Sequence, residues 1–256
     1  MKSGREFVPR AAEDRWPIDQ FIPYPRNALA HSGGRSSFLT YNIHPMTAPR
    51  HQCLICDSYP AAHLSQLATL IIENLQANHR CCYLDSPTMV AGIRGHLAFA
   101  GLDVIREIDN GNLVLRSDQG HLVDGRFDTG RMLGLLSDAW SQAFSDGYSG
   151  LWAKGDMAWE FAGHWDLAKL LEYELAVERF FEGHPMLFGI CQYNIDILPA
   201  QAVRHGLQTH RGVYLSDMRA RTNPYYVSAE SLPHEMRVTS SRPLEEMLVD
   251  LQESSD

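Results

Sequence analysis

Short apolar runs alternate with amphipathic segments from residue 51 onward, whereas residues 1–48 show neither a helical nor a strand period. The apolar runs have the length of buried strands, and the segments between them carry apolar residues at helical spacing. This alternation predicts an α/β domain of three layers, in which a mostly parallel sheet has helices on both faces. The predicted strands are residues 53–56, 81–84, 104–108, 113–115, 150–153, 187–191 and 212–215.

Two of the predicted helices, at about residues 64–75 and 129–144, repeat apolar residues three or four positions apart. The sequence Asp-Asn-Gly-Asn at 109–112 is typical of a hairpin turn. We therefore expect residues 104–108 and 113–115, on either side of this turn, to form a pair of strands.

The patterning divides the chain into three parts. Residues 1–48 predict an N-terminal extension that is loose or wraps around the domain, and residues 49–215 form the domain itself. Residues 216–256 form a tail with a short helix at about 243–252. The apolar stripe of that helix could dock on the domain or on a partner, and both interpretations stay open. The stripe consists of Leu244, Met247, Leu248 and Leu251.

The charge balance bears on the class of partner. The chain has 31 acidic and 22 basic side chains and a net charge of −9, which argues against a general binder of nucleic-acid phosphates. The N-terminus lacks the apolar run of a signal peptide, and no stretch approaches the roughly 20 apolar residues of a membrane span. These features predict a cytoplasmic protein without direct nucleic-acid or membrane contact.

Residues 51–75 predict a strand, a short loop and a helix, which is the order in which nucleotide-binding proteins carry a phosphate loop. Such a loop uses glycines and a lysine to hold phosphate oxygens. Here the loop contains Asp57, Ser58, Tyr59 and Pro60, without glycine or lysine. The sequence therefore predicts a protein that is not an enzyme, with weak ATPase activity left open.

Polar and aromatic residues follow the predicted strands, where ligands bind in open α/β sheets. We expect them to form a polar cavity with aromatic walls for a small organic ligand, without a metal or other cofactor. Capping of the following helices is the alternative role for Asp57, Asp85 and Asp156. The candidate residues at the strand ends are Asp57, Ser58, Tyr59, Asp85, Ser86, Asp156, Met157, Trp159, Gln192, Tyr193 and Asn194.

Two carboxylates lie on the apolar face of the helix predicted after residue 166. Steps of 100° place Glu174 in the middle of that face, with Glu178 beside it. A carboxylate turned toward a core needs a cation, hydrogen-bond donors or a proton. Glu174 therefore either forms a structural ion pair or reaches the cavity and binds a ligand.

The cysteines and histidines show no recognisable metal motif. Cys53 and Cys56 match C-x-x-C, but on one strand they face opposite sides of the sheet, as do the adjacent Cys81 and Cys82. No two histidines have the i, i+4 spacing of a helical zinc site. The sequence predicts buried free thiols and structural or surface histidines.

Several phrases together resemble the MEDS family, the sensory domain named for methanogens, methylotrophs and a dichloromethane-responsive repressor. These phrases are HQCLICDS, GLWAKGDMAWEF, LLEYELAVERFF and GICQYNIDILP, and the resemblance covers about residues 48–215. The family is similar to the RecA and KaiC class of ATPases, which implies the same sheet with a degenerate phosphate loop. The matching positions are His51, Gly155, Asp156, Trp159, Tyr173, Glu174, Cys191, Gln192 and Tyr193.

The resemblance implies signal sensing with a small ligand, in a domain often attached to a DNA-binding module or a histidine kinase. This chain shows neither attachment, and Asn194 stands where an acidic residue often follows the tyrosine. Output would then pass through a regulatory partner, such as a kinase or transcription factor, or through a homodimer. The alternatives are a metal-dependent nucleotide or phosphoester hydrolase that uses Asp156 and Glu174, and a module for protein interaction alone.

Overall fold

The main element of the fold is a seven-stranded sheet with the strand order β3-β2-β6-β7-β1-β8-β9. The computed structural model describes residues 49–56, 59–161, 166–228, 230–231 and 242–253. All strand pairs of this sheet are parallel except β8 with β9. In chain order the strands are β1 (His51–Cys56), β2 (His79–Leu84), β3 (Leu113–Arg116), the small hairpin of β4 (Leu122–Val123) and β5 (Arg126–Phe127), β6 (Gly150–Asp156), β7 (Leu187–Asn194), β8 (Gly212–Tyr214) and β9 (Ala220–Thr222).

Helices cover both faces of the sheet, which confirms the predicted three-layer α/β architecture. One face packs against α1 and α2, and the opposite face packs against α4, α6 and α7. A short 3-10 helix, Pro60–His63, precedes α1. The α-helices are α1 (Leu64–Gln76), α2 (Pro87–Phe99), α3 (Val104–Asp109), α4 (Thr129–Ser145), α5 (Met157–Glu160), α6 (Leu167–Gly183), α7 (Ala200–Thr209) and α8 (Leu244–Glu253).

Side-chain alternation along the strands divides the core into two halves. Cys81 packs with α1 and α2, whereas its neighbour Cys82 packs on the α4 and α6 side. Cys53 and Cys56 both lie within β1, and all five cysteines are buried and free. The prediction of buried free thiols on opposite sides of the sheet is therefore confirmed.

The predicted strand at residues 104–108 is wrong, because this segment is the helix α3. Asp103 begins the helix by accepting a hydrogen bond from the Arg106 backbone N–H at 3.2 Å. Gly111 has a φ of 72° and lies one residue after the C-cap Asn110. The glycine thus allows a left-handed turn that ends α3. The sequence Asp-Asn-Gly-Asn can therefore end a helix as well as form a hairpin turn.

The segment after residue 215 adds both a strand and a helix to the structure. Strand β9 pairs with β8, and α8 packs against α7. Leu244, Met247 and Leu251 of the predicted stripe are buried in the core, and Leu248 is partly buried against it. The stripe therefore docks on the domain, whereas the predicted N-terminal extension, residues 1–48, lies outside the described residues.

None of the described helices is both long enough and apolar enough to cross a bilayer.

If α8 is an integral part of the domain, Leu251→Ala should lower the free energy of unfolding by about 2–4 kcal/mol, because it leaves a cavity beneath the helix. Val249 on the same helix is 48% exposed, so Val249→Ala should change stability by less than about 0.5 kcal/mol. Urea denaturation followed by circular dichroism measures both effects. Equal effects of the two substitutions would contradict the docking of α8.

Candidate functional site

A buried ion pair lies at the C-terminal ends of β2 and β6, on the face covered by α1 and α2. Lys154 Nζ is 2.5 Å from Asp85 Oδ2, and both side chains are almost fully buried. Tyr83 donates its hydroxyl to the same carboxylate oxygen at 3.1 Å. Burial is the largest single effect and lowers the pKa of Lys154, but the charge and hydrogen bond of Asp85 together with the charges of Tyr83 and Asp156 outweigh it, and the net shift is upward. Lys154 is therefore a charged side chain that balances Asp85.

Asp156 caps a helix and also binds a neighbouring strand. Its Oδ1 accepts a hydrogen bond from the Trp159 backbone N–H at 2.8 Å, which begins α5. Its Oδ2 accepts a hydrogen bond from Gln192 Nε2 at 2.7 Å, across the β6–β7 pair. Burial raises the pKa of Asp156, an effect that the charge of Lys154 opposes. Asp85, by contrast, is not the cap of its helix, because Ser86 caps α2.

A second polar group lies on the opposite face of the sheet, beneath α6. Glu174 is fully buried, and its Oε1 accepts a hydrogen bond from the Tyr193 hydroxyl. Its Oε2 is 3.5 Å from His210 Nε2. Burial raises the pKa of Glu174 to about 8, although the Tyr193 hydrogen bond acts in the opposite direction. The placement of Glu174 inside the core agrees with its helical phase.

Glu178, one turn further along α6, is held by three donors. His51 Nδ1 lies 2.9 Å from Glu178 Oε2, and Arg211 Nε donates to Oε1 at 3.1 Å. The Tyr226 hydroxyl also donates to Oε1, at 3.0 Å. Burial by itself would raise the pKa of Glu178, but the hydrogen bonds and charge of its partners lower it overall. Glu178 is therefore a carboxylate, and its side chain connects β1 to the segment after α7.

A largely apolar cavity separates the sheet from α4 and α6. Its empty volume is about 640 Å³, including space open to solvent. The cavity extends from the middle of the sheet toward the C-terminal ends of β2 and β6. Its lining comprises Cys82, Leu84, Met132, Leu135, Leu136, Ala139, Leu151, Ala153, Lys154, Gly155, Met157, Glu160, Tyr173, Val177, Phe181, Gly189, Ile190 and Cys191.

Glu160 is the buried acid of this cavity. Its Oε2 has no hydrogen-bond partner among the described residues, and burial, reinforced by the negative charge of Glu174, raises its pKa well above the ordinary value. A Cβ atom at Gly155 would lie 2.0 Å from Glu160 Oε1, so the glycine leaves the space that this carboxyl group occupies. A neutral carboxyl group here can donate and accept one hydrogen bond each within an apolar surrounding.

The structure does not place the predicted ligand residues in one cavity. Asp85, Asp156 and Gln192 join the network with Lys154, whereas Glu174 and Tyr193 lie beneath α6. None of these five lines the described apolar cavity.

The remaining predicted ligand residues follow the C-terminal ends of β1 and β6 or lie outside the described residues. Tyr59 is 71% exposed, and the indole ring of Trp159 contacts His121 edge-on. Asp57 and Ser58 lie outside the described residues.

Three buried polar residues were not predicted as site residues from the sequence: Lys154, Glu160 and His210. A signal existed for Lys154, a single lysine within the apolar run of β6, since a buried lysine requires a carboxylate partner. Glu160 lies on a helix of only four residues, too short to show a period. The approach of His210 to Glu174 joins distant segments and leaves no local pattern.

Comparison with known proteins gives one family match. The family model described as "MEthanogen/methylotroph, DcmR Sensory domain" matches residues 50–211, which include β1 to β7 and α1 to α7. No curated protein matched the chain at the threshold applied. The match includes both buried polar groups and the cavity.

Replacing Lys154 with Met should lower the free energy of unfolding by about 3–5 kcal/mol, because it leaves Asp85 buried without its cation. The double variant Lys154→Met with Asp85→Asn should lose less, since the unpaired charge is removed. Lys169→Met, at a partly exposed position of α6, is the matched control and should be near neutral. Chemical denaturation at pH 7 measures all three. A double variant no more stable than Lys154→Met would contradict the ion-pair interpretation.

The buried acid Glu160 predicts a dependence of stability on pH. Because its pKa is raised in the folded chain, the unfolded chain loses this proton first, and the folded state is destabilised as pH rises above about 4.5. Glu160→Gln removes this effect. The free energy of unfolding of the variant, relative to that of the parent, should therefore rise by up to about 1.4 kcal/mol per pH unit between the pKa of Glu160 in the unfolded chain and its pKa in the folded chain. Chemical denaturation at pH 5–8 measures the stability of both chains, and parallel pH profiles for the variant and the parent would contradict the prediction.

Proposed function

Because the chain belongs to the MEDS family of sensory domains, we propose that it is a non-catalytic sensor of a small, largely apolar ligand. The observation that carries this proposal is the cavity between the sheet and helices α4 and α6. Apolar walls with few polar groups are typical of the sites at which proteins bind small organic ligands. The ligand would thus lie near the strand ends but on one face of the sheet.

The lining suggests the chemistry of the ligand. Apolar side chains from β6, β7, α4 and α6 surround most of the cavity, and the uncharged carboxyl group of Glu160 can form a directed hydrogen bond. A neutral organic molecule with one hydroxyl or carbonyl group fits this combination. An anionic phosphate ligand fits it poorly, because Lys154 is the single basic residue of the described lining, and its ammonium group is paired with Asp85 on the opposite face of the sheet.

Signalling would follow from the position of the cavity beneath two helices. A ligand that binds more tightly when α4 and α6 are closed over it shifts the population toward that state. The outer surface of these helices would then carry the signal to a regulatory partner, such as a kinase or transcription factor, or to a second copy of the chain. A molecule that binds both states equally would produce no signal.

The hydrolase alternative requires Asp156 and Glu174 to act together. Asp156 is engaged by the α5 backbone and Gln192, while Glu174 is engaged by Tyr193 beneath α6. The two carboxylates thus have separate hydrogen-bond partners, and this favours a sensor over a paired-carboxylate enzyme. The interaction-module alternative differs from the sensor in needing no ligand, so ligand binding separates these two.

Binding of neutral organic molecules should raise the melting temperature of the chain, because a ligand of the folded state stabilises it. A thermal-shift screen should use small alcohols, ketones and phenols, with Mg-ATP as the comparison. Ala139→Leu fills the cavity and should abolish the shift. Ser141→Leu, at an exposed position of the same helix, should preserve it.

An absence of any shift in the parent chain, or an equal loss in both variants, would count against the cavity as the sensing site. Turnover of Mg-ATP that disappears in Asp156→Ala would instead support the hydrolase. Co-purification of a partner without any ligand effect would support the interaction module.

A further inference from the structure

Four side chains that carry metal-ligating atoms converge between β1, β7 and α6. One nitrogen, sulfur or oxygen atom from each lies within 4.8 Å of the corresponding atoms of the others, and all four residues are buried. The residues are His51 in β1, Glu174 in α6, Cys191 in β7 and His210 directly after α7. The sequence offers no spacing motif for this set, because its members come from four separate elements.

The outward hydrogen bonds of the two histidines fix where their lone pairs point. His51 Nδ1 is 2.9 Å from the Glu178 carboxylate, and His210 Nδ1 is 2.7 Å from the Gly206 carbonyl oxygen. Both partners can only accept, so each Nδ1 carries the proton and donates it. A neutral ring then presents an unprotonated Nε2, and both Nε2 atoms face the shared centre. Metal-binding histidines in proteins are commonly oriented in this way, by a hydrogen bond from the ring nitrogen that does not bind the metal.

Two of the inward atoms lack a hydrogen-bond partner among the described residues. Neither Glu174 Oε2 nor His210 Nε2 has a hydrogen-bond partner among the described residues, although the two acceptors lie 3.5 Å apart. His51 Nε2 has the Cys191 thiol as its neighbour, at 3.5 Å. Buried acceptors that face one another are costly unless a proton or a cation lies between them.

Two of the separations between these atoms match the edges of a tetrahedral zinc site, and all of them are within 4.8 Å. With Zn–N of about 2.0–2.1 Å, Zn–O of about 2.0–2.2 Å and Zn–S of about 2.3 Å, tetrahedral angles give N–O and N–S edges of about 3.4–3.6 Å. The His210–Glu174 and His51–Cys191 separations are both 3.5 Å. The donor set of two imidazoles, one thiolate and one carboxylate also suits zinc better than calcium or magnesium, which prefer oxygen ligands.

We propose that His51, Glu174, Cys191 and His210 bind one Zn²⁺ ion. Cys191 would give up its thiol proton on binding, and Glu174 would bind as a carboxylate, so the two anionic ligands balance the charge of the ion. Four protein ligands complete a tetrahedral shell, which makes this a structural or metal-responsive centre rather than a catalytic one. The ion would fasten α6 and the end of α7 to the two inner strands β1 and β7.

The test is metal binding by the full-length chain without an affinity tag. After removal of metal with a chelator, the chain should bind one equivalent of Co²⁺ and show tetrahedral d–d absorption with a thiolate charge-transfer band. Zn²⁺ should displace the cobalt and raise the melting temperature. Mass spectrometry of the intact chain counts the bound ions.

Variants identify the ligands. Cys191→Ala should remove the thiolate band and weaken zinc binding by on the order of 100-fold or more. Glu178→Gln should weaken it by about 10–100-fold through the orientation of His51. Cys82→Ala, which removes another buried thiol on the same face, should leave the band and the affinity unchanged.

A full-length chain that binds neither Co²⁺ nor Zn²⁺, or a thiolate band that survives Cys191→Ala, would overturn the proposal. If Cys191→Ala does not fold, the Co²⁺ spectrum of the parent chain and the zinc affinity of Glu178→Gln still test the proposed site. None of these measurements involves the organic ligand of the cavity, so the proposal of a metal site and the proposal of a sensing cavity can be disproved independently.

Discussion

The central strands β6 and β7 are covered on both faces, and this constraint determines where every polar group of the domain can lie. Lys154 and Gln192 have no accessible surface at all, so each must find its partner within the protein. Alternation along each strand then sends one set of polar groups toward α1 and α2 and the other toward α6. The buried charge of Asp85 is therefore balanced by Lys154 on one face, and the buried carboxyl group of Glu174 is hydrogen-bonded by Tyr193 on the other.

The apolar cavity and the buried polar cluster lie on the same face and meet at Cys191. The cavity offers volume and one neutral carboxyl group, whereas the cluster joins β1, β7, α6 and the end of α7. A helix that lies over both, as α6 does, would respond to a ligand or ion bound in either one. This arrangement would give a sensory domain of this family a physical basis for its response.

Periodicity was sufficient to predict the layers, six of the seven strands of the sheet and the burial of Glu174, because each depends on neighbours within one turn or one pleat; the short edge strand β9 was not predicted. It failed at residues 104–108, where six residues of mixed character form α3 and only the cap at Asp103 marks the helix. The Lys154–Asp85 pair and the approach of His51 to His210 depend on strand order and on packing between distant elements. Nothing within a local window encodes such contacts.

The strand order also has a consequence for how the chain assembles during synthesis. Strand β1 lies in the interior of the sheet, hydrogen-bonded to β7 on one side and β8 on the other. Both of its edges stay unpaired while the ribosome adds the six α-helices and three strands of this sheet that separate β1 from β7 in sequence. Formation of the central sheet must therefore wait for most of the chain, and such long-range closure slows folding. An unpaired apolar strand such as β1 is prone to aggregation in that interval.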